Sequence, residues 1–425
     1  MKIKPIRKIR AKIIVPADKS ITHRTLILSS MAKNESIIHN LLNAKDTKRT
    51  YNILKKLGVK FKGDSNKLIV VPKNIKEIES PLYCGNSGTT ARLMSGFLAS
   101  KNGLFILYGD KSLSKRPMKR IIEPLNLMGA EIKSRNERMP LIIKGGELKA
   151  IEYEMPIPSA QLKSSIILAG LKANGETIIK GDKGTRDHTE RLLKFMNANI
   201  EIKKDSIRIR KSDLEPLNFK IPGDFSSASF FITLAILHPN AKIEINNVNL
   251  NHTRIGILKI LEKMNANVYY EIHENEPEPI GKIIAETSND LKGIVIPEKL
   301  IPNAIDELPL LSLIGAKAQG KTVLKKAKEL RVKESDRIKS VVENMKNIGI
   351  NIKELEDGFE IEGKQKIIGG KIKTYNDHRI AMMFSIAGLI SEEGIEIDNT
   401  VSVNVSFPGF YKVLLNITEE SKKFE

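Results

Sequence analysis

The stretch Ser159–Gly181 reads SAQLKSSIILAGLKANGETIIKG. A polar start runs into an apolar, helix-like segment, then a short polar turn, then a strand-like run. Five more copies of this pattern start at Ser20, Ser87, Ser226, Asp306 and Asp377, so the six starts are spaced 67, 72, 67, 80 and 71 residues apart. A second pattern interleaves with it, in which a helix-like segment enters a Gly or Asn turn and then a strand. Examples are YNILKKLGVKFK, IIEPLNLMGAEIK, LLKFMNANIEI, ILKILEKMNANVYY and VVENMKNIGINIK; the sixth is incomplete and ends in FYKVLLNI. The repeating unit is therefore about 70 residues with two helices and several strands, too long and too mixed for the common helical solenoids. Six units fill the chain, and the natural grouping is a two-domain α/β protein with three units in each domain. The midpoint falls at the turn-rich Ile221-Pro222-Gly223-Asp224.

All six copies begin with Ser or Asp, residues that cap helix N-termini by accepting from free backbone N–H groups. A helix N-terminus carries a partial positive charge of about +0.5 and suits phosphate or carboxylate. Most such caps only stop helices, but several of these sit beside basic residues. In PADKSITHR, Lys19 precedes Ser20 and Arg24 follows four residues on, a point charge and a fork suited to a dianion. In CGNSGTTARLM, Gly85 and Gly88 let the backbone approach a ligand, and Asn86, Ser87 and Thr89 add polar groups. The pattern matches neither nucleotide-binding glycine motif. Lys115-Arg116-Pro117 could bring Arg116 to the same end. Asp306-Glu307 is expected to open a helix. ELRVKESDR places Arg331, Lys333, Glu334, Asp336 and Arg337 together, either as a salt-bridged helix start or as an acid–base cluster whose members tune one another. Asp377, His378 and Arg379 stand at another helix start.

Composition narrows the classes. The chain has 425 residues, a formal charge of +20 and 41% hydrophobic residues, enough for a large core and against disorder. No apolar run reaches the roughly 20 residues of a membrane span, and basic Met1–Ala11 is followed by no apolar block, so a secretory leader is not expected. The single cysteine, Cys84, excludes an internal disulfide and a multi-cysteine zinc site. A cytoplasmic protein is expected. The basic excess admits nucleic acid, a membrane surface or small anionic substrates. Lys is spread along the chain, aromatics are 5% and Trp is absent, which argues against a nucleic-acid binder.

KSITHR, GNSGTTARLM, KRP, SAQLKS, TRDHTE, ELRVKESDR and NDHRIAM, in this order, resemble the signature segments of the 3-phosphoshikimate 1-carboxyvinyltransferase (EPSP synthase) family, and the resemblance covers nearly the whole chain. It implies two similar domains, each of three βαβαββ repeats (an inside-out α/β barrel), with the active site in the interdomain cleft. The N-terminal strand would join the C-terminal half, giving domains 14–223 and 1–13 plus 224–425. The implied reaction moves enolpyruvyl from phosphoenolpyruvate to the 5-hydroxyl of shikimate 3-phosphate and needs no cofactor or metal. Carried over, Lys19, Ser20, Arg24, Ser159, Ala160, Gln161, Thr185, Arg186, Asp306 and Lys333 would hold shikimate 3-phosphate. Lys19, Gly88, Arg116, Gln161, Arg337 and Arg379 would hold phosphoenolpyruvate. Asp306 would be the base or hydroxyl-orienting group, and Lys333 and Glu334 the proton carriers. Ala160 stands where some members have Ser, Glu329 where some have Asn, and Val405 where some have Lys. The resemblance also implies glyphosate as inhibitor, no nucleic acid or membrane partner, and a monomer. A sister family uses UDP-N-acetylglucosamine as acceptor and commonly carries a loop cysteine; the matching stretch Tyr108–Arg120 has none, and Cys84 reads as a small packed residue. From another class, the charge alone would also suit a polyanion-binding protein.

Overall fold

In the computed structural model the two interleaved patterns become two kinds of helix. The structure describes residues 1–182 and 184–422; Lys183 and the last three residues of the expected C-terminal domain lie outside it. The first copy holds α1 (Lys19–Ser29) and α2 (Lys45–Lys56), the second α3 (Gly88–Ala99) and α4 (Lys119–Leu127). The third holds α5 (Ala160–Gly170) and α6 (His188–Phe195), the fourth α7 (Phe225–Leu237) and α8 (Gly256–Lys263). The fifth adds the short α9 (Ile301–Ala304) before α10 (Leu310–Lys317) and α11 (Arg337–Asn347), and the sixth has α12 (His378–Ile390) and α13 (Phe410–Lys422). The long first helix of each copy is mostly buried, and every residue of α7 and of α12 is buried. The second is one-faced. In α6, Leu192 and Leu193 face inward, while Lys194 is exposed.

Each copy closes on its own small sheet. In the second, Leu82–Tyr83 runs parallel to Gly103–Tyr108, which pairs antiparallel with Arg138–Gly145, and that strand pairs with Glu131–Arg135. This is the order βαβαββ. Along Arg138–Gly145 the buried Met139, Leu141 and Ile143 alternate with exposed neighbours, as a half-covered strand requires. The third copy repeats the order with Glu152–Glu154, Glu176–Lys180, Ser206–Arg210 and Ile200–Ile202. The first copy takes its parallel strand, Asn218–Lys220, from much later in the chain. The fourth takes Ile9–Ile13 from the N-terminus, parallel to Ala241–Ile245. The fifth has three strands plus isolated parallel bridges, Lys292 with Gln319 and Val295 with Val323. The sixth is completed by Lys2–Ile3, antiparallel to Ile395–Glu396.

The contacts divide the chain into two compact units. One is Ala17–Ile221 with Glu276–Glu278; the other is Met1–Pro16, Pro222–Asn275 and the residues from Pro279 onward. Each has its own apolar core, and each fully buried Leu, Ile or Phe there contributes roughly 1.5–3 kcal/mol relative to exposure. Close packing of α3 on α5 depends on Gly96, where an added Cβ would lie 2.1 Å from the Ser165 carbonyl oxygen.

The helix starts need correction at three of the six positions. Ser87, Ser159 and Asp377 cap as expected. Ser20 does not: α1 is capped two residues earlier by Asp18, which accepts from the Ile21 N–H at 2.9 Å. Ser226 is likewise displaced by Asp224, which accepts from the Ser226 and Ser227 N–H groups. A carboxylate two positions upstream is the stronger acceptor for those amides. Asp306-Glu307 opens no helix: both lie between α9 and α10, and Pro309 precedes α10 without a side-chain cap. Among the described residues no helix is long and apolar enough to cross a membrane.

Candidate active site

The unit built on Ala17–Ile221 gathers basic groups at the starts of its buried helices. Because Asp18 is the cap, Lys19 and Ser20 fall in the first turn of α1, both half-buried. The Lys19 ammonium lies 3.2 Å from Asp46 of α2. Arg24, one turn on, is buried and donates to Thr189 Oγ1 (2.7 Å), Ser164 Oγ (2.9 Å) and the Ser20 carbonyl (2.9 Å). Burial lowers its pKa to about 10, with Glu190 opposing and Arg186 adding to the fall, so it stays charged near neutrality. Burial, Lys19 and Arg24 together hold neighbouring His23 well below the ordinary histidine value and so neutral. Thr185 is buried and Arg186 half-buried just ahead of α6.

The start of α3 is arranged around Gly88. Ser87 accepts from the Thr90 N–H at 3.2 Å. Arg116, which ends the short helical turn Leu113–Lys115, donates to Asn86 Oδ1. At the start of α5, Ser159 accepts from the Leu162 N–H, and Ala160 and Gln161 form the first turn. The Gln161 amide is clamped by α3: it accepts from Arg92 Nη1 at 2.5 Å and donates to Thr89 Oγ1 at 2.9 Å. Gly88 is small for a reason, since a Cβ there would come 2.9 Å from Arg92 Nη1 and 3.2 Å from Arg116 Nη1. Gly88, Arg116 and Gln161 are thus brought together. Asn86, read from the sequence as a polar group of the Gly-rich turn, and Arg92, which the sequence reading did not single out, join them.

The other unit concentrates charge differently. Arg337, 1% exposed, donates to Asp377 Oδ2 (2.8 Å) and Glu334 Oε2 (2.6 Å) and lies 3.5 Å from Asp306 Oδ1. Burial alone would lower its pKa; Asp377, Glu334 and Asp306 outweigh burial and raise it. Arg379 donates to the Asp306 carbonyl at 3.1 Å and sits 3.4 Å from the Asp306 carboxylate. Arg254, in the loop before α8, completes the ring: it donates to Ser226 Oγ at 2.7 Å and stands 3.8 Å from Asp306 Oδ2. The Ser226 hydroxyl in turn donates to the buried Glu307. Lys333 follows a short helical turn, Lys328–Val332, and its ammonium lies 3.7 Å from Glu329. Desolvation pushes the Lys333 pKa down, with Glu329 and Asp306 opposing and Arg337 reinforcing. In ELRVKESDR, Arg331 forms a salt-bridged helix start with Asp336 and Glu354, while Arg337 pairs with Glu334 and lies 3.5 Å from Asp306. Val405 and Ser406 end a separate short turn and are half-buried. Cys84 is fully buried, and burial pushes its thiol up, so it is a packed and inert residue.

Six copies of one α/β unit, with guanidinium, ammonium and hydroxyl groups collected near helix starts, form an arrangement whose chemistry suits small anions. The family model described as EPSP synthase (3-phosphoshikimate 1-carboxyvinyltransferase) matches residues 3–414, and the chain belongs to that family. It is 51% identical over 415 residues to a 3-phosphoshikimate 1-carboxyvinyltransferase of Thermotoga neapolitana, covering 97% of this chain and 99% of that one. It is 48% identical to one of Thermodesulfovibrio yellowstonii, covering 97% and 98%. Among solved structures, the EPSP synthase of Acinetobacter baumannii aligns with a TM-score of 0.87 at 39% identity, over 98% of this chain and 97% of that one. The enolpyruvyl transferase NikO of Streptomyces tendae, at 14% identity and a TM-score of 0.79, shares the fold.

Proposed function

We propose that the chain transfers the enolpyruvyl group of phosphoenolpyruvate to the 5-hydroxyl of shikimate 3-phosphate, giving 5-enolpyruvylshikimate 3-phosphate and phosphate. The observation that carries this reading is family membership over residues 3–414. The hydroxyl oxygen bonds to C2 of phosphoenolpyruvate as its proton leaves and C3 gains one. The resulting tetrahedral ketal then loses phosphate from C2 as C3 gives up a proton. Asp306 takes or orients the hydroxyl proton, and Lys333 and Glu334 serve C3. A lysine with a lowered pKa suits proton transfer, and Glu334 is fixed by Arg337 at 2.6 Å.

Lys19, Ser20, Arg24, Ser159, the Ala160 backbone, Gln161, Thr185 and Arg186, with Asp306 and Lys333, hold shikimate 3-phosphate in this reading. Lys19, Gly88, Arg116, Gln161, Arg337 and Arg379 hold phosphoenolpyruvate, and the guanidinium groups neutralise charge as it develops. Glyphosate, also a small dianion, competes with phosphoenolpyruvate there; the crowding calculated for a Cβ on Gly88 supports a Gly88→Ala enzyme that binds it less well. We read the protein as a cytoplasmic monomer, a state that light scattering tests against the 47.5 kDa chain mass.

The deciding experiment measures phosphate release from phosphoenolpyruvate with and without shikimate 3-phosphate. Release that depends on shikimate 3-phosphate and survives dialysis against EDTA is expected. Turnover with UDP-N-acetylglucosamine instead would replace the acceptor.

A further inference from the structure

We propose that Lys163, buried inside α5, is a positioning residue that fixes the geometry of the shikimate 3-phosphate site. The inference rests on the functional reading above. Every residue of α5 from Leu162 to Gly170 is buried, and an ammonium in such a helix is costly. The ammonium donates to Asp182 Oδ2 at 2.7 Å and to the Thr185 carbonyl at 3.2 Å, and forms an ion pair with Glu190 Oε1 at 2.6 Å. Lys163 is 0% exposed and Glu190 1%, while Asp182 reaches the surface at 19%. Burial alone would discharge Lys163, but the two carboxylates outweigh it and hold the ammonium protonated.

Replacing the whole cluster of buried charges by apolar side chains of similar volume is often neutral or stabilising, so what the ammonium holds in place matters more than its contribution to stability. In one direction it holds Asp182, whose other oxygen accepts from the Thr185 N–H (3.0 Å) and Thr185 Oγ1 (2.7 Å). That turn carries Thr185 and, next to it, Arg186. In the other direction it holds Glu190, adjacent to Thr189. Thr189 Oγ1 accepts from Arg24 Nε and shares a 2.7 Å hydrogen bond with Ser164, the residue after Lys163. Consecutive residues of α5 thus meet consecutive residues of α6, Lys163 with Glu190 and Ser164 with Thr189. One ammonium aligns the 185–186 segment, Arg24 and the start of α5, all three assigned to shikimate 3-phosphate and none of them to the proton transfers.

The test compares wild type with Asp182→Ala, Lys163→Met and Lys163→Arg in steady-state kinetics, alongside their thermal midpoints. Lys163→Met leaves Glu190 buried without its cation and is prone to misfold, so the surface-reaching Asp182→Ala is the decisive variant. It should raise the KM for shikimate 3-phosphate about tenfold or more, with the KM for phosphoenolpyruvate within about twofold and kcat within about threefold. Lys163→Arg, which keeps the charge, should lie nearer wild type than Lys163→Met. A folded Asp182→Ala enzyme with unchanged KM for shikimate 3-phosphate, or with both KM values rising in parallel with a lost thermal midpoint, overturns the inference while the functional reading stands. A wild-type enzyme inactive with shikimate 3-phosphate overturns both.

Discussion

The candidate-site arginines of the two units meet different partners. In the Ala17–Ile221 unit, Arg24 rests on hydroxyl and carbonyl oxygens, and the amides of Asn86 and Gln161 accept from Arg116 and Arg92. In the other unit Arg254, Arg337 and Arg379 lean on carboxylates, with Asp306 within 3.8 Å of all three. Neutral partners orient a guanidinium without cancelling its field. Carboxylate partners cancel much of the field and set acids and bases against one another, which is the condition for moving protons. In the proposed function the first arrangement serves binding and the second chemistry. Mutations should therefore separate along that line.

Asp306→Ala should have the largest effect, since a placed base is worth about 10²–10⁴-fold in rate. Its kcat at saturating substrates should fall by that order, with a smaller change in phosphoenolpyruvate binding. Near-normal kcat would reduce Asp306 to a prop for Arg337 and Arg379 and erase the contrast between the units.

Asp377→Asn comes next, because it breaks a buried ion pair and the cap of α12 at once; such breaks cost about 3–5 kcal/mol. Burial pushes the Asp377 carboxyl up, but the Arg337 guanidinium outweighs it and holds the group below its ordinary value. The stability it contributes is therefore complete above the ordinary carboxylate range and is lost as pH falls through the depressed folded value. Urea melts across acid pH should show that loss in wild type and a flatter profile in Asp377→Asn.

Arg116→Ala should act on binding alone. A charged hydrogen bond is worth about 1.5–3 kcal/mol, so the KM for phosphoenolpyruvate should rise by roughly one to two orders of magnitude. A comparable fall in kcat would show that the first unit also contributes to the chemical step.

Glu329→Asn should be mildest. Glu329 opposes the desolvation that lowers Lys333, so its removal should move the alkaline limb of the kcat profile to lower pH. An unmoved limb would assign that titration to another group.

Periodicity made the fold legible. Apolar residues with no polar face, as in FSSASFFITLAIL, mark a helix buried all round, and one-faced segments such as HTERLLKF mark its surface partner. Local rules failed where two acceptors competed. DKS and GDFS each offer an Asp ahead of the Ser, and the carboxylate won the cap. The candidate site residues were legible wherever they lay in a motif. Arg92 and Glu190 lie inside GNSGTTARLM and TRDHTE without standing out there, and their contacts, like those of Arg254 and Glu278, became visible only in the structure. Glu278, for example, meets His188 at 2.7 Å from 90 residues away, and no local pattern predicts such a pair. Lys163 did leave a trace, a lone charge in an otherwise apolar helix, but its partners lie 19 to 27 positions on.

The borrowed edge strands also bear on how the chain is made. Ile9 pairs with Ala241, 232 positions later (241 minus 9), and Lys2 with Glu396, 394 positions later (396 minus 2). At a translation rate of about 5–20 residues per second, the leading strand waits roughly 10–50 s for its first partner to emerge from the ribosome. Over the same interval Ala17–Ile221 acquires all its strands, down to Asn218–Lys220, which closes its first sheet. The nascent chain thus carries one assembled unit preceded by an unpaired, Ile-containing segment, the kind of edge that chaperones cover. Residues 2–13 are thus made long before the strands that pair with them.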